Sequence, residues 1–224
     1  MHEITTVLFD MDGTILNSLQ DLMDSANAAL EGTGCGPYDL DQYRYFVGNG
    51  ARNLIRRALA GHVDPQAVGR EPDPKLVDEI LARFKQHYET NKTNKTEPYE
   101  GIILLLTQLK EKGYHTAVIS NKYNLAVREL ADMYFPDLLT MAVGEGGDVR
   151  PKPEPDGVNK VLRQLGVERE QAIYVGDSDV DVETAHNAGL PCIGVTWGFR
   201  GRDELKRAGA EYIIDRPEDI WEYI

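Results

Sequence analysis

The sequence contains little cysteine: Cys35 and Cys192 are the only two, and they lie far apart. Two such cysteines exclude a disulfide framework and the paired spacing of a structural zinc site. No secretory leader is expected, because Asp10 and Asp12 interrupt the one early apolar run. No run approaches the length of a membrane span. We therefore expect a cytoplasmic protein with two free thiols and no membrane partner.

Basic residues are also scarce. Lysine and arginine number 24 against 37 aspartate and glutamate residues, which gives a formal net charge of −13. Because no large basic cluster is present, we exclude nucleic-acid binding as the general activity. An acidic protein that handles phosphate anions must supply positive charge locally, from a lysine, from backbone amides or from a metal ion.

What is present is typical of a globular protein. The chain has 224 residues, of which 42% are hydrophobic and 27% are charged. A chain of this size can bury a substantial core without disulfides or a structural metal, and it suits either one large domain or a core with a smaller second domain. The oligomeric state is left open between a monomer and a homodimer.

The first part of the chain combines one strand with a helical segment. Residues Ile4–Phe9 predict a buried strand that stops at an acidic turn. Helices are predicted over 18–30, after Gly50 and after Pro74, with no convincing strand among them. The polar run 90–96 has no apolar residue to bury, so it predicts a linker.

From residue 101 onward, helical and strand patterns alternate. Helices are predicted over 101–112, 124–133, 156–165 and 179–188, and strands over 115–119, 139–143, 172–175, 191–195 and 210–214, with a short helix after Pro217. The alternation predicts an α/β fold, with a Rossmann-like parallel sheet and helices on both of its faces. We assign residues 1–16 and 92–224 to this catalytic core, and residues 17–91 to an inserted helical cap domain.

Polar side chains follow four of the predicted strands. The four sets are Asp10-Met11-Asp12-Gly13-Thr14, Ser120-Asn121-Lys122, Arg150-Pro151-Lys152-Pro153 and Gly176-Asp177-Ser178-Asp179-Val180-Asp181. Ligands bind beyond the carboxyl ends of the strands in open parallel sheets. We therefore expect the four sets to meet at one edge of the sheet.

These residue types suit phosphoryl transfer. A carboxylate such as Asp10 can act as a nucleophile and form an aspartyl phosphate. Asp12, two residues further along an extended strand end, can protonate the leaving group and then deprotonate water. Lys152 supplies a cation for the charge on the phosphoryl group. Asp177 adds a carboxylate for a hard cation, for which Mg²⁺ is the natural choice.

Smaller groups complete the predicted phosphate site. Gly13 lets backbone amides approach the phosphate closely, and Thr14 follows it in the same loop. Ser120 and Asn121 can donate hydrogen bonds to phosphate oxygens.

Three charged residues near the predicted site remain open. Lys122 and Arg150 are rivals of Lys152 for the cationic role. Asp179 is either a neighbour of the metal or the N-terminal cap of the helix that follows.

Taken in chain order, these segments resemble the four motifs of the haloacid dehalogenase-like hydrolases. Phe-Asp-Met-Asp-Gly-Thr-Ile-Leu over residues 9–16 resembles the first motif, Ser120-Asn121 the second, Lys152 within Arg-Pro-Lys-Pro-Glu-Pro the third, and Gly176-Asp177-Ser178-x-x-Asp181 the fourth. One motif alone would be weak, but four in family order across nearly the whole chain are highly specific.

The resemblance implies a role for each matching residue. It implies Asp10 as the nucleophile, Asp12 as the acid and base, and Lys152 as the group that stabilises the phosphoryl charge. It also implies a Mg²⁺ ion held by the Asp10 side chain, the Asp12 backbone carbonyl and Asp177. Asp181 would support the metal from behind these ligands or through a water molecule, and Ser178 of the same motif would also lie behind the ligands.

Within the family, the chain is most similar to phosphoglycolate phosphatases. The similarity comes from the helical insertion after the first motif, from Val47-Gly48-Asn49-Gly50 within it, and from Asn121-Lys122 after Ser120. In such relatives the cap loop reaches toward the substrate, which implies substrate contacts for Gly48 and Asn49. The implied partner is a small phosphorylated metabolite, with 2-phosphoglycolate as one candidate.

Other functions are also compatible with the same residues. A β-phosphoglucomutase-like phosphomutase, a pyrophosphatase or nucleotidase, and an inactive phosphate-binding regulatory protein would share this fold. A dehalogenase is disfavoured because it would not need an acid and base at Asp12. The remaining conspicuous side chains are interpreted as a solvated basic face (Arg52, Arg56 and Arg57) and as packing (Trp197 and Phe199).

Overall fold

The computed structural model describes residues 3–61 and 71–224. Internal contacts divide the chain into two compact units: one is formed by Met1–Leu16 with Pro98–Ile224, and the other by Asn17–Glu97. We call them the α/β unit and the helical unit. The division places residues 92–97 in the helical unit, whereas the sequence pattern assigned them to the core.

The described elements follow one another along the chain. The first seven are β1 (Thr6–Phe9), β2 (Leu16–Asn17), α1 (Leu19–Leu30), α2 (Leu40–Phe46), α3 (Gly50–Ala60), α4 (Pro74–Asn91) and β3 (Glu97–Pro98). They are followed by α5 (Ile102–Glu111), β4 (His115–Tyr123), α6 (Asn124–Tyr134), β5 (Met141–Glu145), α7 (Asp156–Leu165), β6 (Ala172–Gly176), α8 (Asp179–Asn187), β7 (Cys192–Val195), α9 (Arg202–Ala208) and β8 (Tyr212–Ile214). Short 3-10 turns cover Arg169–Gln171 and Pro217–Glu222.

Six of the strands form one sheet in the order β5-β4-β1-β6-β7-β8. Every neighbouring pair in it is parallel. β1 lies near the centre, where Leu8 is in register with Ala117 on one side and Tyr174 on the other. The predicted α/β fold with a parallel sheet is therefore confirmed.

Alternate residues of the strands point to two separate hydrophobic cores. On one face, β1 contributes Val7 and Phe9, which pack with buried side chains from α5 and α6. On the other face, Leu8 packs with buried side chains from α7, α8 and α9. The two-residue period of a strand produces this division, and helices cover both faces because both are apolar.

The helical unit contains α2, which was not predicted. The sequence does carry the signal for its start: the N–H of Gln42 donates to Asp39 Oδ1 at 2.9 Å, and the N–H of Asp39 donates to Gln42 Oε1 at 3.1 Å. This reciprocal pair is a capping box, which satisfies two backbone donors at a helix start. Tyr43 and Phe46 form the buried face of the helix.

The polar run 90–96, which was predicted to be a linker, is tied to the helical unit at both of its ends. Its first residues, Thr90 and Asn91, belong to α4, and Thr96 is buried. Asp21 Oδ2 on α1 accepts hydrogen bonds from the N–H of Lys95 at 2.9 Å and from the N–H and Oγ1 of Thr96, each at 2.8 Å. The run is ordered by a buried carboxylate rather than by apolar contacts, which hydrophobic patterning does not detect.

Three smaller differences concern element bounds and length. β5 covers Met141–Glu145, two residues later than predicted, and α9 was not predicted. The predicted terminal helix is a 3-10 turn over Pro217–Glu222. None of the helices in the described part of the chain combines the length and apolar character needed to cross a membrane.

Candidate active site

Asp10 lies at the carboxyl end of β1, which pairs with β4 on one side and with β6 on the other. Its N–H donates to the Val175 carbonyl at 2.9 Å, so the ladder with β6 continues one residue beyond the strand and fixes the Asp10 backbone. The side chain is 10% exposed. Burial raises the pKa of Asp10 well above its usual value, repulsion from Asp181 adds to the rise, and Lys152 opposes it.

Lys152 joins two of the buried carboxylates. Its Nζ lies 2.7 Å from Asp10 Oδ1 and 2.7 Å from Asp181 Oδ1, and its side chain is 4% exposed. Burial alone would lower the pKa of Lys152, but the two carboxylates together raise it well above its ordinary value. The lysine is therefore charged, and its ammonium group contacts Asp10, the predicted nucleophile.

Asp177 follows β6 and packs against two glycines. A Cβ atom at Gly13 or at Gly198 would overlap the Asp177 side chain, so only glycine permits this close approach. The N–H of Phe199 donates to Asp177 Oδ2 at 2.6 Å. Burial and the nearby charge of Asp181 nevertheless raise the pKa of Asp177 to about 7.

Asp181 is fixed at the start of α8. Its Oδ2 accepts from the N–H of Ser178 at 3.1 Å and from Ser178 Oγ at 2.6 Å, while its Oδ1 faces Lys152. Ser178 thus holds one side of the carboxylate and Lys152 the other. Asp179, the remaining acid of the fourth motif, is exposed and lies outside the carboxylate cluster.

The side chains of Asp10, Asp177 and Asp181 can each bring one oxygen within 4.8 Å of the others. Oxygen donors of this kind suit Mg²⁺ or another hard cation. Burial and the charge of Asp181 both raise the pKa of Asp10 and of Asp177, so further positive charge nearby would favour their ionised forms. A divalent cation would supply that charge, so the residues fit the predicted metal.

Asp12, the second acid of the first motif, pairs with Lys122, whereas Asp10 pairs with Lys152. Lys122 Nζ lies 3.1 Å from Asp12 Oδ2, and the Lys122 side chain is 5% exposed. The N–H of Lys122 donates to Ser120 Oγ at 3.2 Å, which places Ser120 in the same cluster. Of the two rivals for the cationic role, Lys122 therefore lies in the site, whereas Arg150 is exposed and pairs with Asp156 at 2.7 Å.

The Asn121 side chain is engaged with Lys152 in this structure. Its Nδ2 donates to the Lys152 carbonyl at 3.1 Å, and its Oδ1 accepts from the N–H of Lys152 at 2.6 Å. These two bonds hold the lysine backbone. A phosphate contact of the Asn121 side chain stays a prediction, because both of its polar atoms have these partners here.

Three further residues predicted to bind the substrate are Thr14, Gly48 and Asn49. The Thr14 side chain is fully buried, and its Oγ1 has no hydrogen-bond partner within the described residues, so no phosphate contact through this hydroxyl is supported. Gly48 and Asn49 belong to the helical unit, where Asn49 precedes α3.

Arg57 is not the solvated side chain that the sequence pattern predicted. Its guanidinium donates to Asn49 Oδ1 at 2.6 Å and to the carbonyls of Tyr45, Phe46 and Val47, between 3.1 and 3.3 Å away. These carbonyls end α2, where helix geometry leaves acceptors without partners. Arg57 therefore holds the loop that carries Gly48 and Asn49.

The loop after β7 also contributes to the site. Trp197 Nε1 donates to the Thr14 carbonyl at 2.9 Å, and Phe199 binds Asp177 through its backbone. Both residues had been interpreted as packing alone. Ligands bind beyond the carboxyl ends of parallel strands, and this loop follows β7 of the same sheet. The same argument that indicated the four polar sets therefore also indicates this loop.

Comparison with known proteins identifies the family. Residues 7–195 match the family model described as haloacid dehalogenase-like hydrolase. Phosphoglycolate phosphatase 1 of Pseudomonas aeruginosa is 34% identical over 221 residues, which cover 96% of this chain and 77% of that protein. A phosphoglycolate phosphatase of Rhodobacter capsulatus is 38% identical over 197 residues, which cover 87% of this chain and 85% of that protein.

A solved structure agrees with these sequence matches. The crystal structure of a candidate phosphoglycolate phosphatase from Lactobacillus delbrueckii subsp. bulgaricus superposes with a TM-score of 0.93 at 35% identity, and the match covers 99% of this chain and 98% of that one. The family match covers all of the sheet strands except β8. The chain belongs to the haloacid dehalogenase-like hydrolases.

Proposed function

We propose that this protein is a Mg²⁺-dependent phosphatase that hydrolyses small phosphate monoesters through an aspartyl phosphate on Asp10. The observation that carries the proposal is the contact between Asp10 Oδ1 and Lys152 Nζ at 2.7 Å, beside the carboxylates of Asp177 and Asp181. It combines a buried nucleophile, a fixed cation and a set of oxygen ligands.

In the proposed first step, an Asp10 oxygen attacks the phosphorus atom and the bond to the leaving-group oxygen breaks. Asp12 gives its proton to that oxygen, so the alcohol leaves as a neutral molecule. Lys152 lies against Asp10 and can neutralise charge on the transferring group. Asp181 and Asn121 hold this lysine in place by its ammonium group and its backbone.

In the second step, the aspartyl phosphate is hydrolysed. Asp12, now a carboxylate, takes a proton from water while the water oxygen attacks the phosphorus atom. The bond between phosphorus and Asp10 breaks, inorganic phosphate is released and the Asp10 carboxylate is restored. The proton given up in the first step is thereby recovered, and both acids return to their starting states.

The proposed metal ligands are the carboxylates of Asp10 and Asp177 and the backbone carbonyl of Asp12. When bound, Mg²⁺ supplies positive charge for the phosphoryl oxygens. Asp181 supports the site from behind, since both of its oxygens already bind Ser178 or Lys152.

The names of the relatives favour 2-phosphoglycolate as the substrate. Proteins named phosphoglycolate phosphatase match 96% and 87% of this chain at 34% and 38% identity. Gly48 and Asn49 are the proposed substrate contacts in the helical unit, with Arg57 holding their loop.

A substrate panel tests the proposal. The protein is assayed with 2-phosphoglycolate, sugar phosphates, nucleoside monophosphates and pyrophosphate, with Mg²⁺ and with a chelator, and substrates are ranked by kcat/KM. We expect Mg²⁺-dependent release of inorganic phosphate, highest for 2-phosphoglycolate. Isomerisation of a hexose 1-phosphate to the 6-phosphate would indicate a phosphomutase instead, and no turnover of any phosphate ester would refute a phosphatase.

A further inference from the structure

Each acid of the Asp10–Asp12 pair contacts a different buried lysine. Lys152 lies against Asp10, and Lys122 Nζ lies 3.1 Å from Asp12 Oδ2. The Lys122 side chain is only 5% exposed, and lysine is almost never buried this deeply without a charged partner. We propose that Lys122 is a positioning residue that orients the Asp12 carboxyl group for proton transfer to the leaving group.

The inference rests on the proposed phosphatase function and extends it to a residue outside the proposed catalytic set. The sequence pattern indicated Lys122 only as a rival of Lys152 for the charge on the phosphoryl group. The structure separates the two lysines, because Lys152 contacts Asp10 and Lys122 contacts Asp12. Their substitution should therefore impair different parts of the reaction.

A β-bulge delivers Lys122 to Asp12. β4 and β5 are in register up to Ser120 opposite Gly144, but the next pair is Tyr123 opposite Glu145. Residues 121 and 122 are thus extra on β4. Bulges redirect side chains, and they are common next to active sites. Here Asn121 binds the Lys152 backbone, while Lys122 reaches Asp12.

Gly144 makes room for this bulge. A Cβ atom at position 144 would lie 2.6 Å from the Lys122 carbonyl oxygen and 2.6 Å from Asn124 Cα, closer than real Cβ atoms approach other atoms. The N–H of Gly144 also donates to Asn124 Oδ1 at 2.9 Å. The backbone from 122 to 124 is therefore held closely against β5, which limits where the Lys122 side chain can reach.

The contact with Lys122 can restrict the orientation of the Asp12 side chain and still leave part of that side chain accessible. A hydrogen bond from an ammonium group is directional, so Asp12 Oδ2 is fixed toward Lys122 and Oδ1 is left to carry the proton that is transferred. The Asp12 side chain is still 19% exposed, which leaves part of it accessible to a substrate. An acid held in one orientation transfers a proton more effectively than one that samples several.

The test compares two leaving groups. p-Nitrophenolate is a stable anion and departs without a proton, whereas the alkoxide of an alkyl phosphate needs one. The values of kcat/KM are measured for p-nitrophenyl phosphate and 2-phosphoglycolate, because kcat/KM includes only the steps up to departure of the leaving group. For Lys122→Met we expect a loss of roughly 10- to 100-fold with 2-phosphoglycolate and of less than about threefold with p-nitrophenyl phosphate.

Companion variants separate positioning from other roles. Asp12→Asn should show the same substrate preference with a larger loss, and the double variant should lose little more than Asp12→Asn alone. Lys152→Met should impair both substrates. Lys206→Met, at an exposed lysine, should change neither. Lys122→Arg keeps the charge, so we expect it to recover part of the alkyl phosphate activity.

The outcomes separate this inference from the proposed function. Equal losses for the two substrates in Lys122→Met, or no loss at all, would overturn the role of Lys122 while leaving the phosphatase proposal intact. If Lys122→Met does not fold, Lys122→Gln and Lys122→Arg are compared in the same assay and judged by the same ratio. A wild-type protein that hydrolyses neither ester would overturn both proposals.

Discussion

Asn121 shows how a side chain without acid–base chemistry can shape the site. Its amide forms one donated and one accepted hydrogen bond with the backbone of Lys152, as a neighbouring strand would do. Lys152 in turn places its ammonium group between Asp10 and Asp181. The position of the cation therefore depends on a residue that was predicted from sequence only as a phosphate ligand.

Replacing Asn121 by alanine should slow turnover. Without the amide, the Lys152 backbone can shift, and a displacement of about 1 Å can cost roughly 100-fold in rate. We expect kcat to fall about 10- to 100-fold for alkyl and aryl phosphates alike. Steady-state kinetics with both substrates provides the measurement.

Asn187 provides a matched control for this change, because its side-chain amide also bonds to the backbone beside Lys152. Asn187 Nδ2 donates to the Pro153 carbonyl at 3.0 Å, one residue after Lys152, but this bond is exposed. Asn187→Ala should leave kcat within about twofold, because exposed neutral hydrogen bonds contribute little. If the two alanine variants behave alike, Asn121 has no special role in placing Lys152.

At the scale of elements, the buried carboxylate of Asp21 connects α1 to the end of the helical unit. It accepts three hydrogen bonds from Lys95 and Thr96. Asp24, one turn later, pairs with Lys95 Nζ at 2.7 Å and accepts from Gln20 Nε2 at 2.9 Å, and the side chains of Lys95 and Asp24 are 54% and 39% exposed. The two aspartates thus offer a direct comparison between a buried polar network and a surface ion pair.

Asp21→Ala should destabilise the protein far more than Asp24→Ala. Removing Asp21 leaves buried donors without a partner, at a cost of about 1–3 kcal/mol in the free energy of unfolding. Losing the surface pair should cost less than about 1 kcal/mol. Urea denaturation of the two variants measures both values, and similar losses would contradict the conclusion that the buried carboxylate of Asp21 orders the run 90–96.

The elements also show where sequence reasoning succeeds. Strands β1, β4 and β6 combine apolar runs with polar residues at their ends, so their positions and the strand-end residues were predictable. The contacts of the run 90–96 could not be predicted, because Asp21 lies 74 residues before Lys95 and 75 before Thr96 in sequence. The bulge in β4 could not be predicted either, since it depends on the pairing of β4 with β5.

At the scale of the whole molecule, we expect the buried acids to make stability depend on bound cations. Asp10, Asp177 and Asp181 repel one another when ionised, which disfavours the folded state without a counter-ion. A cation that binds only the folded state shifts the equilibrium toward it. Stability and the proposed catalytic site are therefore linked through the same three side chains.

Mg²⁺ should raise the thermal midpoint of the wild-type protein by several degrees. Ligand at 100 times its dissociation constant adds about 2.7 kcal/mol, and each kcal/mol corresponds to roughly 2–4 °C for a chain of this size. Asp177→Asn should lose most of this shift, and in a chelator it should be at least as stable as the wild type. Differential scanning calorimetry with and without Mg²⁺ measures these shifts.

Asp179 provides the control for this experiment, because it is exposed and lies only two residues after Asp177. Asp179→Asn should keep the full response to Mg²⁺. A wild-type protein whose midpoint does not respond to Mg²⁺, or an Asp177→Asn variant that responds as strongly as the wild type, would contradict the proposed metal site.

The most direct test of the proposed mechanism is to find the phosphoryl group on Asp10. The enzyme is mixed with substrate and Mg²⁺, quenched in acid within milliseconds and digested for mass spectrometry. The mechanism predicts a phosphoryl group on the Asp10 side chain in wild-type protein, and neither this adduct nor turnover in Asp10→Asn. Full activity of Asp10→Asn, or a phosphoryl group on a different residue, would contradict it.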